Sequence, residues 1–180
     1  AQIDLVALVR HDEAAADILR ENGLRRPFVI ASRRQCADEH FRALQEKLDE
    51  QDILLSIFSS VEPNPSVETV EKIAVQYKLD GCDCFLVIGG AVDAAKAAAA
   101  RLARPDRLLS QLAGLLKVRR LIPPLIAVPT TAGTGSETTI AAVVTGSDHH
   151  KYAISDLCLI PRYAILDPAL TVGLPPHITA

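Results

Sequence analysis

Nine residues, Pro129 to Glu137 (PTTAGTGSE), hold four hydroxyl side chains and two glycines, and they directly follow the apolar run Leu125–Val128. Hydroxyls and exposed backbone N–H groups are what an uncharged loop offers to phosphate or ribose oxygens. A second such place is Gly89-Gly90, between the apolar run Cys84–Ile88 and an alanine-rich stretch that carries Asp93 and Lys96. Glycines at that point let the backbone turn tightly and let a ligand approach it. The free N–H groups of a following helix add an anion site, strengthened by the helix dipole. A glycine pair alone is a weak signal, and an ordinary strand–loop–helix connection reads the same way. Two further polar segments follow apolar runs: Ser32-Arg33-Arg34 after PFVIA, and Val61-Glu62-Pro63-Asn64-Pro65, whose prolines fix its φ angles.

These segments need elements to hold them. Apolar runs at Pro27–Ala31, Ile53–Phe58, Cys84–Ile88, Leu125–Val128 and Tyr163–Leu166 read as buried strands, and Ile3–Val9 as an edge strand. Helical spacing is present from Asp12 to Glu21, with Asp12 as N-cap and Asn22-Gly23 as stop, and again from about Cys36 to Glu50. A further helix begins at Ser66, where Ser66-x-x-Thr69 is half a capping box, and another follows Gly90. Arg104–Lys117 is a polar excursion. Ile140–Thr145 and Lys151–Ile154 flank Gly146-Ser147-Asp148 as a hairpin. Strands and helices alternating in this way predict an α/β fold: a Rossmann-like, mostly parallel sheet with helices on both faces, plus a β-hairpin. Ligands of such sheets sit at the carboxyl ends of the strands. All four polar segments fall there, and that convergence is stronger evidence than any one of them.

The chain of 180 residues is 49% hydrophobic and 23% charged, enough for one sizeable core in an ordinary globular protein. A net charge of −3 and 4% aromatics give no basic, aromatic-interleaved stripe, so nucleic acid is not expected as a partner. No apolar run approaches the roughly 20 residues of a membrane span. The four cysteines, Cys36, Cys82, Cys84 and Cys158, lack zinc-site spacing and read as free thiols in a reducing cytoplasm. The chain starts at Ala1, contains no methionine and stops at LPPHITA without cap or charge, which is the expectation for a fragment. Residues 1–170 are expected to form one α/β domain and 171–180 the start of a connector.

In order along the chain, VEPNP (61–65), a strand with a glycine turn and D-x-x-K (84–96), PTTAGTGSE (129–137) and LDPALTVGLPP (166–176) resemble the iron-containing (group III) alcohol dehydrogenase family, with its lactaldehyde reductases, butanol dehydrogenases and maleylacetate reductases. The resemblance implies an N-terminal dinucleotide-binding domain followed by an all-helical domain that is absent here. It implies NAD(P) as cofactor, a divalent iron or zinc between the two domains, and hydride transfer to or from a small alcohol or aldehyde. It also allows a homodimer. Residue by residue, it implies cofactor contacts from Asn64, from Gly89, Gly90 and Ala91 to the pyrophosphate, and from Thr130, Thr131 and Thr134 to phosphate and ribose. Lys151 and Leu170 fall at further cofactor positions. Asp93 and Lys96 match the family's D-x-A-K, with a helix cap and a local ion pair as the plain structural readings.

Two departures stand out. The family's turn reads GGGS-x-x-D-x-A-K, whereas Gly90 is followed directly by Ala91-Val92-Asp93. Either the turn is truly shorter, with fewer phosphate-facing N–H groups, or two mobile residues are missing from the sequence there; the second is the expectation. The family's Asp at the end of the second strand is replaced by Ser32, followed by Arg33 and Arg34, which slightly favours NADP over NAD. The family's metal ligands, one Asp and three His, fall beyond LPPHITA, and none of His11, His40, His149, His150 and His177 matches one. This chain alone is therefore expected to hold no metal, to carry no catalytic residue and to be inactive. Competing readings are a stand-alone nucleotide-binding module and a relative of the dehydroquinate synthase or glycerol dehydrogenase type.

Overall fold

In chain order the elements are β1 (Asp4–Ala7), α1 (His11–Glu21), β2 (Pro27–Ile30), α2 (Arg33–Cys36), α3 (Glu39–Asp49), β3 (Ser56–Phe58), α4 (Val67–Leu79), β4 (Cys84–Ile88), α5 (Val92–Ala103), β5 (Gly114–Leu115), β6 (Leu125–Val128), β7 (Ala141–Thr145), β8 (Lys151–Ser155) and β9 (Tyr163–Leu166). They are taken from a computed structural model that describes residues 3–7 and 9–174. Six strands form one sheet in the order β1-β9-β6-β4-β2-β3, every neighbouring pair parallel. The hairpin β7–β8 is antiparallel and joins β5 in a separate three-stranded sheet. This is the α/β, Rossmann-like, mostly parallel architecture that the alternating pattern predicts. Among the described residues no helix is long and apolar enough to cross a membrane. The proposed connector at 171–180 lies largely outside the described residues, and His177 wholly so.

The period-two alternation of the strands splits the core into two layers. Phe28, Phe85 and Val87 face α4 and α5, where Val70, Ile73 and Tyr77 meet them. Val29, Cys84, Leu86 and Ile88 face α1 and α3, packed on Leu19, Phe41, Leu44 and Leu48. The alanine run of α5 does more than favour a helix. Ala94, Ala95 and Ala97 to Ala100 are all fully buried, because α5 lies between the main sheet and β7 and so has almost no solvent face. Small side chains let both neighbours approach it closely.

Several local expectations are corrected. Helix α1 starts at His11, and Asp12 is not its cap but sits buried in the first turn, taking two hydrogen bonds from Arg10 at 2.6 and 3.2 Å. The cap comes from across the fold: the Asp167 carboxylate accepts from the His11 N–H at 2.9 Å. The helix expected from about Cys36 starts at Glu39, where the Asp38 carboxylate caps the His40 N–H, and a separate short helix, α2, precedes it. Strand β3 is shorter than expected, three residues from Ser56. The half capping box at Ser66 is completed from outside the helix, by Glu62, which accepts from the Ser66 N–H at 2.9 Å. Gly89–Ala91 form one 3-10 turn that runs continuously into α5, closed by Gly89 at φ +76°.

Candidate functional site

Strand β2 leads outward to β3, and the chain then returns across the sheet to β4 on the other side of β2. The direction of strand order therefore reverses between β2 and β4, the crevice where ligands of such sheets bind. The two segments flanking that crevice are Ser32–Gln35 and Gly89–Ala91. Ser32 caps α2 with a reciprocal box: its hydroxyl accepts from the Gln35 N–H at 3.2 Å, and the Gln35 side-chain oxygen accepts from the Ser32 N–H at 2.8 Å. This orients the Gln35 amide over Gly89 and toward the Thr130 hydroxyl, 3.4 Å away. A Cβ at Gly89 would lie 2.2 Å from that amide nitrogen and 3.0 Å from the Thr130 hydroxyl. The three turns after β2, β4 and β6 thus meet above Gly89.

Gly90 differs from its neighbour. It is exposed, and open space surrounds the position of its missing Cβ. No side chain caps the helical run that opens with the Gly89–Ala91 turn and continues as α5, so its leading N–H groups, at the glycine turn, are left for solvent or an anion. A cavity of about 220 Å³ opens here, lined by Ser32, Gln35, Glu62, Pro63, Gly90 and Ala91. A second, of about 230 Å³, lies at the carboxyl ends of β6, β9 and β1, where Thr131, Ala132, Asp167 and Pro168 line it. Gly89 and Thr130 sit between the two.

The sequence-predicted residues are thus partly gathered. Ser32, Gly89, Gly90, Ala91, Thr130 and Thr131 lie along this edge. Asn64, at φ +56°, has its carbonyl accepting from the Thr145 hydroxyl at 3.2 Å, and Thr145 pairs with Lys151 across the hairpin, so Asn64 and Lys151 form a neighbouring group. Leu170, in the 3-10 turn Pro168–Thr171, packs on the core beneath the second cavity. Arg33 and Thr134 are exposed and line neither cavity. Gln35 was missed, although Ser32-x-x-Gln35 is the capping-box spacing that could have revealed it.

Glu62 shapes the first cavity. Burial opposes its charge, but the Ser66 N–H and the Thr69 hydroxyl, at 2.8 and 2.9 Å, more than offset that and hold the carboxyl down to about 2. A carboxylate with a lowered folded pKa contributes its full stability above its unfolded value and loses it as pH falls through the folded one. Glu62→Gln is expected to cost about 1–2 kcal/mol at pH 7 through the weakened hydrogen bonds. Urea unfolding should show that gap unchanged from pH 7 to 5 and closing as pH approaches 2.

Asp93 and Lys96 neither cap α5 nor form a local ion pair. The Asp93 carboxylate accepts from the Val143 N–H at 3.2 Å. Lys96 is fully buried, and its ammonium donates to the carbonyls of Ser136 (2.8 Å), Thr139 (2.6 Å) and Ala141 (3.4 Å) and to the Thr139 hydroxyl (2.8 Å). Burial pushes its pKa down to about 8, with Asp93 and Glu137 acting in the opposite direction.

The chain is similar to known proteins over nearly its whole length. The 4-hydroxybutyrate dehydrogenase of Cupriavidus necator is 34% identical over 164 residues, 88% of this chain and 42% of that protein. The crystal structure of 1,3-propanediol oxidoreductase matches with a TM-score of 0.90 at 25% identity, over 100% of this chain and 49% of that one. Sulfoacetaldehyde reductase from Bifidobacterium kashiwanohense, solved in complex with NAD+, matches with a TM-score of 0.82 at 30% identity, over 99% and 48%. The chain spans about half the length, or less, of these relatives. The family model for iron-containing alcohol dehydrogenases matches residues 10–168, from just before α1 to just past β9. By that match the chain belongs to the iron-containing alcohol dehydrogenase family.

Proposed function

We propose that this chain binds a nicotinamide dinucleotide along the carboxyl edge of its sheet and serves as the cofactor-holding part of an alcohol dehydrogenase. The observation that carries the reading is the meeting of Gly89, Gln35 and Thr130 at the switch point, beside open Gly90 and the uncapped start of α5. The space over Gly90, within the first cavity, suits a pyrophosphate with one end of a dinucleotide, and the second cavity, beyond Gly89 and Thr130, suits the other end. Asn64, Lys151, Thr134 and Leu170 are the remaining proposed contacts, and Arg33, exposed on α2 outside both cavities, is the contact proposed for the ribose end. In the longer protein the reaction is hydride transfer between the dinucleotide and a small alcohol or aldehyde, with a divalent iron or zinc supplying Lewis acidity at the substrate oxygen. Among the described residues no three His, Cys, Asp or Glu side chains converge to hold a metal, so none of them is assigned to it. The free thiols agree with a cytoplasmic setting.

The choice of dinucleotide turns on charge around the first cavity. Ser32 in place of a carboxylate, with Arg33 and Arg34 on α2, favours a 2′-phosphate. Glu62, ionised on the cavity wall, works the other way. Fluorescence titration of the chain with NADPH and NADH is expected to give saturable binding of both, with NADPH modestly tighter. Equal or tighter NADH binding removes the NADP preference, and no binding of either removes the proposed function.

A further inference from the structure

Lys96 is expensive to keep where it is. Taking an ammonium out of water costs several kcal/mol, and an apolar side chain of similar length would fill the same space at no such cost. Its acceptors are all neutral oxygens, and they lie 40 to 45 residues away in the segment that leaves the threonine loop. That segment has little else to hold it. Within 129–140 the backbone hydrogen bonds outside strands are Thr138 N–H to the Gly135 carbonyl and Asp156 N–H to the Ile140 carbonyl. Asp93, one turn earlier on α5, takes the Val143 N–H two residues beyond the last Lys96 acceptor.

We propose that Asp93 and Lys96 are a two-pronged clamp, positioning residues that fix residues 136–143 against α5 and thereby hold the threonine loop in shape for a dinucleotide. The inference rests on the dinucleotide reading above. The ammonium gathers carbonyls and the carboxylate takes an N–H, so together they read the backbone in both polarities and leave one orientation for the segment. Because a trans peptide points its N–H opposite its C=O, drawing the Ser136 carbonyl toward Lys96 turns the Glu137 N–H away from α5. The clamp also joins the two halves of the proposed phosphate cradle. Helix α5 begins at the glycine turn, and the same helix holds the far end of the threonine loop, so the two cannot shift independently.

The test compares the 180-residue wild type with Lys96→Met and Asp93→Asn. Hydrogen exchange is measured without ligand, and NADH and NADPH titrations follow. Lys96→Met keeps the volume and removes the charge, so its thermal midpoint is expected to stay within a few degrees of the wild type. Amides of 136–143 are expected to exchange at least tenfold faster while those of α1 and α3 do not change, and dinucleotide Kd is expected to rise about tenfold. Asp93→Asn should move both readouts in the same direction by less, and it carries the test if Lys96→Met does not fold. Unchanged exchange in 136–143 overturns the clamp. Faster exchange with unchanged Kd overturns its role in binding. A wild type that binds neither dinucleotide overturns the binding role with the function, and exchange alone then decides whether the clamp exists.

Discussion

Replacing Gly89 by alanine is expected to abolish most dinucleotide binding and to destabilise the chain, whereas the same change at Gly90 should leave stability unchanged. Gly89 sits at φ +76°, where an L side chain costs roughly 1–2 kcal/mol. That strain alone does not distinguish the site, because Gly23 has φ +67° at the end of α1. The difference is in what the new methyl would meet. At Gly23 there is open space within 4 Å, while at Gly89 the methyl would strike the Gln35 amide and press on the Thr130 hydroxyl. Gln35 has a flexible side chain and would swing aside, but doing so opens the capping box with Ser32 and withdraws the contact to Thr130. Gly23→Ala therefore reports the φ strain, and the excess of Gly89→Ala over it reports the loss of the joint between three turns. Chemical unfolding should give that excess as about 1 kcal/mol, the worth of a cap. Titration should give at least a tenfold weaker Kd for Gly89→Ala and an unchanged one for Gly23→Ala. Adding Gln35→Ala to Gly89→Ala should recover none of the binding, because the strain and the lost joint both remain.

The same comparison shows why part of the site could be read in the sequence and part could not. Apolar runs such as Leu125–Val128 announce buried strands, and the polar turn after each run falls at the sheet's carboxyl edge because parallel strands all end on the same side. That reasoning finds Gly89, Gly90, Thr130 and Thr131 with no further help. It fails where a partner lies far away in sequence. Asp93 and Lys96 look like a helix cap and an ion pair because their true partners, 40 to 50 residues on, have no local signature. Helix α2 was missed because none of its residues is buried, so it has no apolar period, although the Ser32–Gln35 box starts a helix there. The cap of α1 is the extreme case, since Asp12 has the right residue type but sits inside the first turn, while the accepting carboxylate belongs to Asp167.

Asp167 is where the second large effect is expected. Its carboxylate, almost fully buried, accepts from the His11 N–H at 2.9 Å and from the Ala169 N–H at 2.9 Å, and lies 2.7 Å from the His11 ring nitrogen Nδ1. The other ring nitrogen is 3.1 Å from the His40 carbonyl, at the start of α3. One side chain at the end of β9 therefore secures the start of α1, the 3-10 turn after β9 and, through His11, the start of α3. Asp167→Ala leaves the His11 N–H and ring Nδ1 buried without a partner, and is expected to cost about 3–5 kcal/mol, the size seen when one member of a buried pair is removed. For a chain of this length each kcal/mol lowers the thermal midpoint by about 2–4 °C, so a fall of roughly 6–20 °C is expected. Asp167→Asn keeps the shape and one acceptor and should cost less. The pH dependence separates charge from packing. Burial raises the Asp167 pKa, but the His11 ring, the His11 N–H and the Ala169 N–H outweigh it and hold the carboxyl below its ordinary value. Its stabilisation is therefore complete above the unfolded carboxylate pKa of about 3.9 and fades as pH drops through the lower folded value. Unfolding curves of wild type and Asp167→Asn should stay a constant distance apart from pH 7 to 5, begin to converge below about pH 4, and meet only once pH has fallen through the folded Asp167 pKa, where both side chains are neutral. A gap that persists unchanged at low pH would mean that Asp167 acts through shape alone. Because Asp167 also lines the cavity beside Thr131, a folded Asp167→Asn chain gives one more reading of the site. Loss of dinucleotide affinity at full stability would place the second cavity in direct contact with the ligand.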